Sequence, residues 1–352
     1  MDREVLWDLF RHYGIPPPYI NLIQQLYENA QCQVIHNGKL TDPFDVKTGV
    51  RQGCLLSPMI FLMVVDWIMR ETTKSEKTGI QWTLTQCLED LDFADDLCLM
   101  SQKHQHMQSK SNKLKEEAAK TRLRINIGKT ETMRTNNKQE TPITLGVEAL
   151  KTVDKFAYLG SIVSTTGGSD EDIKARLGKA RQAFNTLKTV WKSPTLSTRN
   201  KLRLFNSNVK SVLLYGSETW RMNNVTNQKL QVFINRCLRN ILQIRYPETI
   251  SNRDLWQRTQ QDPIGQQIAR RKWRWIGHTL RKPAGNIARQ ALEWNPQGKR
   301  KVGRPRKTWR RSCDEELKMA GITWGSAKKT AQSRVRWRVT VEALCSTRNP
   351  QD

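Results

Sequence analysis

At Ser169 the spacing of apolar residues changes, and it does not change back. From there Ile173, Leu177, Ala180, Phe184 and Leu187 recur at steps of four and three, with lysines and arginines on the opposite side. Leu202, Phe205, Val209 and Val212 repeat the pattern, as do Leu230, Phe233, Cys237 and Ile241. That spacing stacks side chains along one stripe of an α-helix, so this part of the chain can bury its apolar surface only by packing helix on helix. Ahead of Ser169 the signals are mixed. Leu6, Leu9 and Phe10, then Ile20, Ile23, Leu26 and Tyr27, mark two short helices over 3–13 and 18–29, separated by Gly14 and the prolines at 16–18. An extended Cys32–His36 followed by Asn37-Gly38 predicts a hairpin, because Asn-Gly accepts the positive φ angles of a tight turn. Ser57-Pro58 reads as N-cap and first residue of a helix over about 59–72 that is apolar nearly all round and therefore central to a core. A second hairpin surrounds Ala94-Asp95-Asp96, a polar helix spans 104–124, and a strand pair lies near Phe156–Val163. The expected class is α/β, with a mixed unit at 1–165, a helical unit at 166–262 and a basic region at 263–352.

Charge narrows the partners. Lys and Arg total 59 against 33 Asp and Glu, a net +26. An excess of that size repels itself unless a polyanion neutralises it, which points to nucleic acid. The excess is concentrated: between Ile264 and Arg311 fifteen Lys and Arg face one acid, Glu293. The seven cysteines are widely spaced with no CxxC pair, and His104 and His106 have none near enough to complete a zinc site. Reduced thiols in an intracellular chain are the simplest reading, with nuclear residence the expectation from charge. The N-terminal MDREVLWDLF is an amphipathic helix rather than a signal peptide, and the longest apolar run, Met59 to Val65, is too short to span a bilayer.

Asp95-Asp96 is the pair with the most chemistry. Two adjacent carboxylates at a hairpin turn can hold a divalent metal beside a bound phosphate, and nucleotidyl transfer uses two such ions. Aspartate is also common in turns for local hydrogen-bonding reasons. The setting bears on that choice, for Phe93-Ala94-Asp95-Asp96 follows Arg51-Gln52-Gly53-Cys54-Leu55-Leu56-Ser57-Pro58 by about forty residues. The two segments resemble paired signature motifs of reverse transcriptases, and the similarity continues along the chain. Arg124 to Thr130 looks like a later palm motif whose lysine sits near the departing pyrophosphate; it is not a phosphate-binding P-loop, since Leu123 stands where glycine is needed. Phe156-Ala157-Tyr158-Leu159-Gly160 resembles a primer-grip hairpin. Leu214 to Trp220 and Trp273 to His278 resemble C-terminal segments of non-LTR elements of the RTE type.

The resemblance implies a polymerase palm at 1–165 followed by a thumb-like region, and RNA-directed DNA synthesis from an RNA template and a DNA primer or target. It implies Asp95 and Asp96 as ligands of Mg²⁺ or Mn²⁺, Arg51, Gln52 and Gly53 as nucleotide or template contacts, and Lys129 as an acid or charge stabiliser, with a solvated lysine as the alternative. It also marks a departure. The family places a third metal-binding aspartate on a strand upstream of a phrase like the one that opens this chain at Met1-Asp2-Arg3-Glu4-Val5-Leu6-Trp7. Asp2, Asp8, Asp42, Asp45 and Asp92 are not expected to replace it, so these residues alone are expected to have negligible polymerase activity. The rival reading is a non-catalytic nucleic-acid binder, a remnant or domesticated protein. For it the basic region matters most. Trp273, Trp275, Trp309 and Trp337 lie beside arginines such as Arg274 and could stack on bases or simply fill a core. Lys299 to Lys307, with Arg300, Arg304, Arg306 and Lys307, resembles an AT-hook, though an import signal or linker has the same composition.

Overall fold

Asp2 accepts the Glu4 backbone N–H at 3.0 Å and pairs with Arg122 at 3.0 Å, capping α1 (Arg3–His12). The computed structural model containing this cap describes residues 1–74, 77–83, 86–135, 140–294 and 308–346. They divide into two units, Met1–Asp154 and Lys155–Asp352.

In the first unit α1 is followed by α2 (Pro17–Tyr27) and two nested ladders. β1 (Gln31–Cys32) pairs with β4 (Phe44–Asp45) outside β2 (Ile35–His36) and β3 (Lys39–Leu40). Asn37 and Gly38 turn that hairpin with φ of 49° and 76°, the geometry their sequence predicts. α3 (Ser57–Thr73) then buries Ile60, Val64 and Ile68 against Leu6, Leu9, Phe10 and Ile20 of α1 and α2. The helix is not apolar-buried all round: Met59 and Leu62 are 62% and 47% exposed. Nor does Ser57 cap it. The residue before it, Leu56, occupies that place, and the Ser57 hydroxyl donates to the Arg51 carbonyl at 2.5 Å, tying the loop to the helix start.

β5 (Ile80–Gln81) pairs with β6 (Cys87–Leu88), and β7 (Asp90–Phe93) with β8 (Asp96–Leu99), before α4 (His104–Lys120). Three short pieces complete this unit. β9 (Glu131–Thr132) runs parallel to β12 (Lys151–Thr152), enclosing the hairpin of β10 (Thr144–Leu145) and β11 (Glu148–Ala149).

The second unit opens with the hairpin of β13 (Lys155–Tyr158) and β14 (Ser161–Ser164), which packs on α5 (Asp170–Thr186). Helices then run α6 (Lys188–Lys192), α7 (Thr198–Leu204), a π-helical turn (Phe205–Lys210), α8 (Ser211–Leu213), α9 (Asn224–Ile241) and α10 (Asn252–Thr259). They continue as α11 (Ile264–Leu280), α12 (Ile287–Glu293), α13 (Trp309–Met319), α14 (Trp324–Ala331) and α15 (Arg334–Ser346). Ile173, Ala180, Phe205, Val209, Leu230, Phe233, Cys237 and Ile241, all marked by helical spacing, share one core. A second core collects Trp273, Ile276, Cys313, Leu317, Trp337 and Val341. α11 serves both, giving Ile264 and Ile268 to the first and Trp273, Ile276 and Leu280 to the second. One helix, just past the expected boundary near 262, thus contributes to the cores on both sides of it.

Candidate active site

The β7–β8 hairpin is closed by a two-residue loop, Ala94-Asp95, with Phe93 paired to Asp96. Ala94 has φ 56°, in the left-handed region where an L-residue costs about 1 kcal/mol. Such strain persists only where the surroundings enforce it. The stem supplies that enforcement: the Met100 N–H donates to the Glu89 carbonyl at 2.8 Å, and the buried Lys110 of α4 pairs with the Glu89 carboxylate and donates to the Met100 carbonyl at 2.7 Å. Lys110 thus clamps both strands where they enter the hairpin. At the far end Asp95 and Asp96 are exposed.

Strand alternation sorts the other carboxylates. The register puts Phe93, Asp96, Leu91 and Cys98 on one face and Asp90, Asp92, Leu97 and Leu99 on the other. Asp92 therefore does not share a face with Asp96. It lies instead near Asp90 and Asp66 of α3, and burial, Asp90 and then Asp66 push its carboxyl up to about 7. Asp66 also accepts from the Tyr13 hydroxyl at 2.6 Å and from Arg70 at 2.8 Å. Burial and this carboxylate push the Tyr13 phenol up to about 12. Of the other aspartates weighed as replacements, Asp2 caps α1, Asp8 pairs with Arg11 at 2.5 Å, Asp45 accepts from Gln31 at 3.0 Å, and Asp42 is exposed beyond the β2–β3 hairpin. Among the described residues no group of three or more His, Cys, Asp or Glu side chains could hold a metal ion.

Arg51, Gln52 and Gly53 are exposed in the loop before α3, where Gly49 and Gly53 take φ of 80° and 83° that other residues resist. The Gly49 N–H donates to the Met1 carbonyl at 2.9 Å, anchoring this loop to the start of α1. Among the described residues no hydrogen bond or ion pair joins it to Asp95 or Asp96. Lys129 ends a single 3₁₀ turn, Ile127–Lys129, capped by the Asn126 side chain at 3.1 Å, with its own side chain exposed.

In the second unit the motifs bind to each other. Tyr215 donates to the Leu159 carbonyl at 3.1 Å and stacks under Arg176 at 4.2 Å, while Arg176 donates to the Gly160 carbonyl at 2.6 Å. Buried Asp172 accepts from the Ile162 N–H at 2.9 Å and the Trp220 indole at 2.8 Å. The Phe156–Gly160 hairpin and the Leu214–Trp220 segment are thus fastened through α5. Sequence reading missed Asp172 and Arg176; their spacing of four beside an apolar stripe is the only signal they gave.

Trp273 and Trp337 are core residues, 0% and 3% exposed, and not available to stack on bases. Trp273 donates to Glu316 at 2.7 Å, and Glu316 also holds buried Lys272 at 2.5 Å. Trp275 is half-buried edge-on to Trp309, with ring centres 6.1 Å apart. Arg274 is exposed on the same helix. Arg300, Arg304, Arg306 and Lys307 lie outside the described residues.

Residues 3–163 match the reverse transcriptase (RNA-dependent DNA polymerase) family, and residues 183–215 match a domain of unknown function. An uncharacterised transposon-derived protein of Caenorhabditis elegans is 29% identical over 65% of this chain and 85% of its own length. The Pol polyprotein of a type-2 retrotransposable element of Drosophila melanogaster is 25% identical over 52% of this chain and 18% of the polyprotein. A type-1 element polyprotein of Popillia japonica is 30% identical over 26% of this chain and 15% of its own. The chain therefore spans most of the nematode relative and less than a fifth of either polyprotein.

Proposed function

Because residues 3–163 belong to the reverse transcriptases of non-LTR retrotransposons, we propose that the first unit carries the metal-binding hairpin and template-facing loop of RNA-directed DNA synthesis. The observation that carries this reading is the strained, clamped β7–β8 hairpin presenting Asp95 and Asp96 as exposed neighbouring carboxylates. Their oxygen donors suit Mg²⁺ or Mn²⁺, which take one or two protein carboxylates and fill the remaining positions with water and substrate phosphates. Bound there, the ion would polarise a phosphoryl oxygen and offset charge developing during nucleotidyl transfer.

The protein's own groups divide the rest of the work. Lys110 positions the hairpin through Glu89 and Met100. Arg51 and Gln52, on the loop fastened by the Ser57–Arg51 bond, would contact template or incoming nucleotide. Lys129 would offset negative charge on a departing pyrophosphate. The β13–β14 hairpin would serve as a primer grip ending the palm, and α5 to α10 would form a thumb-like region along the template and primer, with nuclear residence following from that use.

Two carboxylates are fewer than a pair of metal ions requires, and the register holds Asp92 away from Asp96. These 352 residues by themselves are therefore expected to extend no primer. Purified protein is assayed on poly(rA)·oligo(dT) with Mg²⁺ or Mn²⁺, while Mn²⁺ binding is followed by electron paramagnetic resonance. The expected result is no extension, with Mn²⁺ binding weakened about tenfold or more by Asp95→Ala, as loss of one charged ligand implies. Extension abolished by Asp95→Ala would show that another carboxylate completes the site. Mn²⁺ binding indifferent to both Asp95→Ala and Asp96→Ala would defeat the metal assignment.

A further inference from the structure

Lys210 ends the π-helical turn Phe205–Lys210. A π turn is wider than an α turn and shifts the residues that follow it around the helix, and such turns are frequent at functional positions. Here Phe205 and Val209 are wholly buried, seating the turn in the core. Lys210 is drawn into a cavity of about 260 Å³ whose other walls are Gln261, Asp262 and the Arg270, Arg271 and Arg274 face of α11. The ammonium donates to the side-chain oxygens of Gln261 and, at 3.5 Å, Asn206, both neutral partners. Burial, reinforced by Arg271, draws the Lys210 ammonium down to about 8 against the opposing pull of Asp262.

The charges do not balance. Arg270 is spoken for, donating to Asp262 at 2.7 Å and to Glu342 at 3.1 Å. Arg271 donates to the Leu214 carbonyl at 3.4 Å and reaches Glu218 only at 3.7 Å, and Arg274 reaches Glu342 only at 3.9 Å with its side chain 64% exposed. Lys210, Arg270, Arg271 and Arg274 therefore surround one recess whose single lining carboxylate, Asp262, is held by Arg270, leaving the positive charge in excess. A partly desolvated cation lowered from its ordinary pKa is relieved by an anion, and the fork geometry of arginine matches phosphate oxygens. Arg274 is the exposed member of the lining, and basic residues continue along the chain through Arg281 and Lys282. That arrangement suits one phosphate of a longer chain better than a small ion that must be enclosed.

We propose that this cavity is a phosphate subsite for a nucleic-acid backbone, formed by Lys210, Arg271 and Arg274. It lies wholly in the second unit, depends on no metal, and does not require the hairpin reading to hold. The Lys210 end of it falls within the 183–215 segment whose matching domain has no known function.

Pyridoxal 5′-phosphate tests it, because the reagent carries a phosphate beside an amine-reactive aldehyde. A lysine amine condenses with the aldehyde, water leaves, and borohydride reduces the imine to a stable secondary amine that peptide mass spectrometry locates. Full-length protein is labelled alone, with oligo(dT), with an uncharged methylphosphonate oligo(dT), or with inorganic phosphate. Lys210 is expected to react ahead of the exposed lysines, to be protected by oligo(dT) and not by the methylphosphonate, and to react about tenfold more slowly in Arg274→Gln. Arg274→Gln should also reduce the salt dependence of oligo(dT) binding by about 0.7 in log–log slope, the loss of one single-strand phosphate contact. Because Arg274 is exposed, that variant is expected to melt like the parent. Labelling of Lys210 no faster than surface lysines would overturn the site, and so would an unchanged salt slope in Arg274→Gln. Protection by inorganic phosphate alone would overturn the backbone assignment in favour of a free-anion site.

Discussion

Asp92 reports on the hairpin more directly than the two carboxylates at its tip. Its carboxyl is pushed up to about 7 by burial, by Asp90 two residues away on the same face, and by Asp66 from α3. The folded protein thus holds a proton that the unfolded chain releases near the ordinary aspartate value. The stabilisation is complete below that value and is lost as pH rises through about 7. In buffer free of divalent metal, thermal unfolding of the first unit is expected to occur at lower temperature at pH 8 than at pH 5. Asp92→Asn should remove most of that difference and raise stability at pH 8 by about 1 kcal/mol, allowing for solvent screening of a carboxyl that is only half-buried. An unchanged pH profile in Asp92→Asn would show that Asp90 and Asp66 do not act on it. The same residue shows where sequence reading stops: period-two alternation placed Asp92 away from Phe93, but nothing nearby in the chain announced Asp66, which arrives on a helix more than twenty residues earlier.

Helices carry most of what was legible, because their repeat is local. The steps of three and four after Ser169 named the residues that fill the first core of the second unit. The Asn37-Gly38 turn and the β7–β8 hairpin were equally plain, since each depends on two or three adjacent residues. What stayed hidden depends on partners distant in sequence. The tryptophan–arginine pairs resembled a base-stacking surface, yet neighbours on a helix are about 100° apart, so Trp273 enters the core while Arg274 faces out. Gly277 gives no sign of its use. A β-carbon there would lie 1.9 Å from the Trp337 indole nitrogen, which donates to the Trp273 carbonyl at 2.9 Å. Gly277→Ala should gain about 1 kcal/mol of helix propensity and lose more through the displaced indole, for a net destabilisation of about 2 kcal/mol. Because α11 builds both cores, the whole second unit is expected to melt earlier in one transition, and Trp337→Leu should partly rescue Gly277→Ala. Two separate transitions in calorimetry, with only one moved, would mean the cores are energetically independent.

At the scale of the whole chain, charge and catalytic motif make separable demands. The net +26 comes from the second unit, where 40 Lys and Arg face 13 Asp and Glu with the densest run between Ile264 and Arg311, whereas the first unit holds 19 against 20 and its hairpin contributes only negative groups at its tip. Nucleic-acid affinity should therefore be set by released counterions and not by the carboxylates. With six or more phosphate contacts, binding to a primer–template duplex is expected to weaken about a thousandfold between 50 and 200 mM salt. Asp95→Ala and Asp96→Ala should leave that slope unchanged, since neither residue neutralises a phosphate, and should strengthen binding slightly in the absence of divalent metal. Fluorescence anisotropy across a salt series, read on parent and variants, separates the two demands. A slope that collapses in Asp95→Ala would mean that the hairpin organises the basic surface. A shallow slope in the parent would mean that the positive residues are engaged by the protein's own acids, as Arg270 is by Asp262 and Glu342.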